Sequence, residues 1–251
     1  MHISYASVAA PGLPNEDRAV TGDGWAVLLD GATVRPGVDS GCVHGPRWLA
    51  GRLAGALARR LAGGTRAALA DVLAESIAET CDAHRGCDLA NPDSPSATAA
   101  IVRAREGRLD WLVLADSPVV VDLGDRLEVI CDDRVARLPS YTPEAVRALR
   151  NSPGGFWVAS TRPEAAYEAL TGSVALADVR RAALFSDGAA RLVERFGRLD
   201  WPALVDLLDR EGTLELVRRT REAERAETEA ERAVRRGKPH DDATAVLLRF
   251  R

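Results

Sequence analysis

Trp25-Ala26-Val27-Leu28-Leu29-Asp30-Gly31 is a run of apolar residues that ends abruptly in Asp-Gly. A continuous apolar run of this length, closed by a turn dipeptide, reads as a strand buried on both faces. The same pattern recurs in Ala182-Ala183-Leu184-Phe185-Ser186-Asp187-Gly188, and again with Asp-Ser in Trp111-Leu112-Val113-Leu114-Ala115-Asp116-Ser117. A single Asp-Gly is ordinary turn chemistry. Three acids at the ends of apolar strands, with Asn15-Glu16-Asp17 after the first strand and Asp241-Asp242 before the last, form a joint pattern that turns alone do not explain. Carboxylates at a core edge are costly unless paired, hydrogen-bonded or bound to metal. No conspicuous arginine follows each acid. Clustered oxygen donors suit hard divalent cations such as magnesium or manganese, and a glycine after the acid admits close backbone approach.

Outward from these strands, the element order becomes legible. Residues 2–8 read as a short strand. Leu49, Leu53, Leu57 and Leu61 share one face of a helix, and Leu69, Val72, Leu73, Ser76 and Ile77 share a face of a second. Thr98–Arg103, Leu109–Ala115, Val119–Leu123 and Leu127–Cys131 read as an antiparallel meander, with Glu106-Gly107 and Gly124-Asp125 at tight turns. Thr142 followed by Pro143 marks a helix start, as does Pro163. Residues 181–186 and 243–250 read as strands. Residues 201–236 read as helical, the later part with a thin apolar stripe of Ala223, Ala226, Ala230 and Val234 and a solvated charged face. Pairs at i,i+4 spacing (Arg218–Glu222, Arg225–Glu229, Glu231–Arg235) support that helix. Helices segregated from antiparallel strands make this an α+β chain, two packed sheets with helices outside.

The totals bound the function. The chain has 251 residues, 46% apolar, and a formal charge of -4. That suits one domain spanning residues 1–251. It gives no electrostatic reason to expect nucleic acid or an anionic membrane as partner. No basic stretch followed by an apolar run opens the sequence, and no apolar run is long enough to span a bilayer, so a cytoplasmic protein is expected. The cysteines are Cys42, Cys81, Cys87 and Cys131, none in a C-x-x-C pair, and are expected as reduced thiols. Cys81, His84 and Cys87 are three apart, but a structural zinc site wants four ligands. Buried thiols and a helix-end histidine are the simpler reading.

Taken in order, Asn15-Glu16-Asp17, Leu29-Asp30-Gly31, Ala115-Asp116-Ser117, Phe185-Ser186-Asp187-Gly188 and Asp241-Asp242-Ala243-Thr244-Ala245-Val246 resemble the motifs of the metal-dependent protein phosphatases, type 2C, the PPM family. The resemblance runs from about residue 3 to residue 250. It implies an αββα sandwich of two antiparallel sheets flanked by helix pairs. It implies a binuclear magnesium or manganese site with Asp30 bridging, Gly31 offering its carbonyl, Asp187 and Asp241 holding one ion, and Asp17 reaching an ion with Glu16 beside it. Asp116 matches a third, looser site. The implied activity is hydrolysis of phosphoserine or phosphothreonine in a phosphoprotein by a water activated between the two cations. Residues 132–175 match the family's flap.

The sequence departs from that pattern where the family grips phosphate. The usual arginine before Asn-Glu-Asp is replaced by Pro11-Gly12-Leu13-Pro14, and Ala115-Asp116-Ser117-Pro118 and Asp241-Asp242 also differ from the family's forms. Arg35, just past Asp30, is the candidate replacement, with Arg18, Arg47 and Lys238 weaker ones. His44 reads as a second acid near the metals or as a capping and packing residue. Two further functions stay open: hydrolysis of a small phosphoester, and a metal-binding pseudophosphatase serving as a regulatory module. The retained aspartates argue against the latter.

Overall fold

The computed structural model describes residues 1–33, 37–235 and 238–250. The strands are β1 (His2–Val8), β2 (Arg18–Gly22), β3 (Trp25–Leu29), β4 (Ala99–Arg105), β5 (Arg108–Leu114), β6 (Val119–Asp122), β7 (Leu127–Ile130), β8 (Leu170–Ala175), β9 (Arg181–Phe185) and β10 (Ala243–Arg249). The helices are α1 (Pro46–Ala62), α2 (Leu69–Asp82), α3 (Pro143–Leu149), α4 (Asp187–Glu194), α5 (Trp201–Glu211), α6 (Thr213–Ala226) and α7 (Glu229–Val234). The strands form two five-stranded antiparallel sheets, ordered β1-β10-β9-β6-β7 and β2-β3-β4-β5-β8.

Three apolar layers hold this stack. Between the sheets, Leu28, Ala100, Val102, Val121, Leu184 and Val246 are fully buried. On the outer face of the second sheet, the Leu49, Leu53, Leu57 and Leu61 stripe of α1 and the Leu69, Val72, Leu73 and Ile77 stripe of α2 pack over Val27, Leu29 and Ile101. On the outer face of the first, α4, α5 and α6 cover Phe185, Ala245 and Leu247. The result is the αββα sandwich. Strands such as β3 and β9 are buried along their whole length because helices cover one face and the other sheet covers the opposite one.

Four expectations need correcting. The strands from 98 to 131 are not one meander. β4 pairs with β5 and β6 pairs with β7, but between Ala115 and Pro118 the chain leaves one sheet for the other. Ala115 turns there with a left-handed φ of 64°. β2 and β8 carry too few strong apolar residues to announce themselves, and both lie at the edges of the second sheet. Asp187 does not end in a turn but is the first residue of α4. Helix 201–236 is three helices, broken at Gly212 and at Glu227-Thr228, where Thr228 and Glu231 form a reciprocal cap. The expected stripe fails with it: Ala226, Ala230 and Val234 are exposed, while Glu224 and Glu227 are buried. The charged pairs Arg218–Glu222 and Glu231–Arg235 do form.

The sheet-to-sheet layer is the part the fold depends on most. Leu28→Ala, which empties a fully buried position there, should cost about 2–5 kcal/mol in chemical denaturation with little change in m-value.

Candidate active site

Antiparallel pairing explains why residues so distant in sequence meet. Arg18 at the start of β2 faces Leu29 at the end of β3, and Ala245 near the start of β10 faces Phe185 at the end of β9. Asp17, Asp30, Asp187 and Asp241 are therefore all delivered to one end of the sandwich, and Asp116 joins them from the crossover after β5. Asp30, Gly31, Asp116, Asp187 and Asp241 line a cleft of about 560 Å³, together with Thr33, Thr98, Arg191, Glu194, Arg195, Arg235 and Lys238. Asp17 lies beneath it, 1% exposed.

Two glycines make this convergence possible. A Cβ on Gly188 would lie 1.9 Å from the Asp242 carbonyl oxygen, and one on Gly31 would lie 2.9 Å from the Glu16 carbonyl oxygen. Each glycine thus lets one acidic motif press against the backbone of another. Asp242 is the clamp for the first loop: its carboxylate accepts the backbone N–H of Ala10 at 2.7 Å and of Glu16 at 2.6 Å. The second acid of Asp241-Asp242 is therefore a backbone anchor. Glu16 turns its carboxylate to the Thr33 hydroxyl, which donates to it at 2.5 Å.

The electrostatics are those of an acidic cluster only partly balanced by Arg191 and Lys238. Burial is the largest effect on Asp30 and pushes its carboxyl well up, and the charges of Asp17, Asp187, Asp241 and Asp116 push it further. Burial also raises Asp187 to about 7, with Asp241 and Asp116 adding to it and Arg191 opposing. Asp116 is raised, chiefly by burial. Asp17 is raised to about 6 by burial, with the Thr244 and Ser186 hydroxyls pulling the other way. Neither carboxylate oxygen of Asp17 has a hydrogen-bond partner among the described residues. Two hydroxyls lie near it and pull its pKa down: Thr244 Oγ1, which pairs with Ser7 at 2.7 Å, and Ser186 Oγ, which accepts the Thr244 N–H at 2.9 Å. A buried carboxylate with both oxygens unpaired is costly in a protein interior, and its donor set is the one hard divalent cations take.

One wall of the cleft is basic. The Lys238 ammonium donates to Thr33 Oγ1 at 2.7 Å and to Asp241 Oδ1 at 3.0 Å. Burial lowers its pKa, but Asp241, Asp187 and Asp30 outweigh that and raise it. Arg191 reaches Asp241 at 3.2 Å and buried Glu224 at 2.8 Å. Arg195 and Arg235 are both held on Glu227.

Of the residues singled out by sequence, the structure brings together Asp17, Asp30, Gly31, Asp116, Asp187 and Asp241, with Glu16 and Lys238 at the margin. Arg35 lies outside the described residues. Arg47 is exposed and does not line the cleft, and Arg18 donates to the backbone carbonyls of Asn15 and Asp17. His44 stacks on Trp48 and does not line the cleft. Sequence reasoning missed Arg191, Glu194 and Arg195. Their spacing from Asp187 is the signal: four, seven and eight residues on, they share a helix face with it.

A sequence profile of the protein phosphatase 2C family matches residues 6–232. The chain belongs to that family. Among solved structures, the serine/threonine phosphatase PstP/Ppp of Mycobacterium tuberculosis matches with a TM-score of 0.60 at 18% identity, over 98% of this chain and 97% of that one. The PPM Ser-Thr phosphatase MsPP of Mycobacterium smegmatis, in complex with cacodylate, matches with a TM-score of 0.62 at 18% identity, over 100% and 99%. The catalytic domain of PstP in complex with two manganese ions matches with a TM-score of 0.56 at 18% identity, over 98% and 96%. No curated protein matches the sequence. At these identities the structural likenesses establish the αββα fold. Family membership makes the chain a phosphatase-type hydrolase by descent. Among the described residues, no helix is long and apolar enough to cross a membrane.

The raised carboxyls give a signed pH dependence. A carboxyl that titrates higher folded than unfolded favours the fold while protonated, and that contribution is lost as pH rises through the folded pKa. Metal-free Asp187→Asn should gain on the wild type as pH rises from 5 to 8, by about 1–3 kcal/mol, read as a Tm difference that widens over that range. Manganese should raise the wild-type Tm more at pH 8 than at pH 5, because protons compete for the same oxygens.

Proposed function

We propose that this chain is a metal-dependent phosphoprotein phosphatase that hydrolyses phosphoserine and phosphothreonine esters. The observation that carries this reading is Asp17, buried at the base of an aspartate cluster with both carboxylate oxygens unpaired. A divalent cation would satisfy such a group. Asp17, Asp30, Gly31, Asp187 and Asp241 would hold two divalent ions, magnesium or manganese, with Asp116 near a third. When bound, those ions would supply Lewis-acid charge for phosphoryl oxygens and acidify water.

The chain's own residues account for the rest. Lys238 is a cationic group at the cleft, beside Asp241, and takes the place of the phosphate-holding arginine that the sequence lacks before Asn15. Its Thr33 contact fixes the ammonium toward the mouth, while Arg191 keeps Asp241 oriented. Glu194 lines the cleft although it is partly open to solvent; desolvation and Asp116 push its carboxyl up to about 7, so a fraction of it carries a proton at neutral pH that a departing alkoxide can accept. Beyond Asp116, a hollow of about 290 Å³ opens under Val135, Leu138, Tyr141, Val146 and Phe156. These residues belong to the 132–175 segment, which acts as a flap. An apolar hollow beside the phosphate position suits the residues flanking a phosphoserine in a protein and favours a protein substrate over a small phosphoester.

Purified protein with manganese should hydrolyse p-nitrophenyl phosphate and a phosphothreonine peptide. Asp187→Asn should abolish both activities. Absence of turnover on both substrates while the wild type still binds manganese would replace this reading with that of a pseudophosphatase, and turnover of p-nitrophenyl phosphate alone would replace it with a small-phosphoester hydrolase. Lys238→Ala should lower kcat/KM by roughly 10–100-fold, the scale of one charge-assisted hydrogen bond to phosphate, and Lys238→Arg should recover part of it.

A further inference from the structure

A second cluster of ligating side chains lies apart from the aspartates. Cys42 and His44 come from the loop before α1, and His84 and Cys87 from the turn after α2. Cys42, His44 and His84 each present one donor atom within 4.8 Å of the others. Cys42 Sγ is 3.6 Å from His44 Nδ1, and Cys87 Sγ is 3.5 Å from the same nitrogen. None of the four lines the aspartate cleft.

Hydrogen bonding alone does not account for this arrangement. An imidazole nitrogen offers either one proton or one in-plane lone pair, so Nδ1 of His44 can satisfy one sulfur and not two. His84 is 5% exposed, and neither of its ring nitrogens makes a well-formed hydrogen bond among the described residues, the Thr80 backbone being close to the ring but out of good geometry. Leaving such a ring buried and unpaired is unfavourable. A tetrahedral ion with Zn–N near 2.05 Å and Zn–S near 2.3 Å sets its nitrogen and sulfur ligands about 3.6 Å apart, the separation seen here twice.

We propose that Cys42, His44, His84 and Cys87 form a structural zinc site. Two sulfurs and two imidazoles are a soft, closed donor set that selects zinc over magnesium or manganese. The His44 backbone N–H donates to Cys42 Sγ at 3.3 Å, as a thiolate ligand would require. Trp48 shields the site: it stacks on the His44 ring at 3.9 Å and lies 4.4 Å from the His84 ring. Cys81, grouped with His84 and Cys87 on spacing alone, is not part of it, since its thiol faces the Ser160 carbonyl at 3.9 Å. The two ligands that the local spacing lacks, Cys42 and His44, come from upstream of α1. The ion would tie the loop that follows Asp30-Gly31 to the turn after α2. That junction is already stitched by Asp88 N–H to Gly41 O at 2.8 Å and by the Asn91 amide to Asp39 O at 3.1 Å.

The site is tested with cobalt as a spectroscopic probe. Protein stripped by chelator under reducing conditions should take up one cobalt ion per chain with thiolate charge-transfer and tetrahedral d–d bands, and one equivalent of zinc should abolish them. The bands should persist in Asp187→Asn and Cys81→Ser and vanish in Cys42→Ser and Cys87→Ser. Should those last variants fail to fold, alkylation of wild-type protein mapped by mass spectrometry decides instead: zinc should protect Cys42 and Cys87. Absence of the thiolate bands in wild type, or alkylation of Cys42 and Cys87 unchanged by zinc, would overturn the proposal. Neither readout depends on phosphatase activity.

Discussion

Mutual repulsion among five aspartates is the constraint around which the rest of the molecule is arranged. Asp17, Asp30, Asp116, Asp187 and Asp241 are held close enough that each is felt by its neighbours. No peptide would gather these groups unaided. The gathering is imposed by two sheets that bury an apolar cluster between them, so the cost at the cleft is met by burial elsewhere. The close approaches at Gly31 and Gly188 and the two backbone bonds to Asp242 lock the acidic motifs against one another. Gathering like charges in this way costs stability, the usual trade against function.

The charged helices follow the same logic at longer range. Glu224 and Glu227 are buried at the end of α6 and just beyond it, and between them they hold Arg191, Arg221, Arg195, Arg235 and His240. Arginine pairs of this kind give geometry more than net stability. Here the geometry holds Arg195 and Arg235 on Glu227 along the cleft wall, while Arg191 bridges Glu224 and Asp241. The region that reads as a solvated helix is thus partly a scaffold for the site's positive rim.

How legible this was depends on the element. The buried strands β3 and β9, the leucine faces of α1 and α2, and the Thr142 cap of α3 were readable because local periodicity and capping express burial directly. β2 and β8 were not, since edge strands carry weak patterns whose pairing is decided by neighbours. The aspartates were readable as a set because each follows or precedes a buried strand. Arg191, Glu194 and Arg195 were hidden because Asp187-Gly188 reads locally as a turn, and only packing under α5 and α6 makes it a helix start. The Cys42, His44, His84 and Cys87 cluster was hidden for a different reason. Its halves lie on two loops whose proximity is set by the antiparallel packing of α1 and α2.

By itself the sequence determined the α+β layering, the placement of the acids at strand ends, and the family, because burial periodicity and ordered motifs are local properties of the chain. Only the tertiary structure decided which carboxylates share a charge field, that Asp242 anchors backbone while Asp241 lines the cleft, that Lys238 lines it too, and that Cys42, His44 and His84 converge with Cys87 beside His44. Those outcomes are contacts between residues far apart in the chain. Distance in space is set by the global packing of sheets and helices, which no single segment encodes.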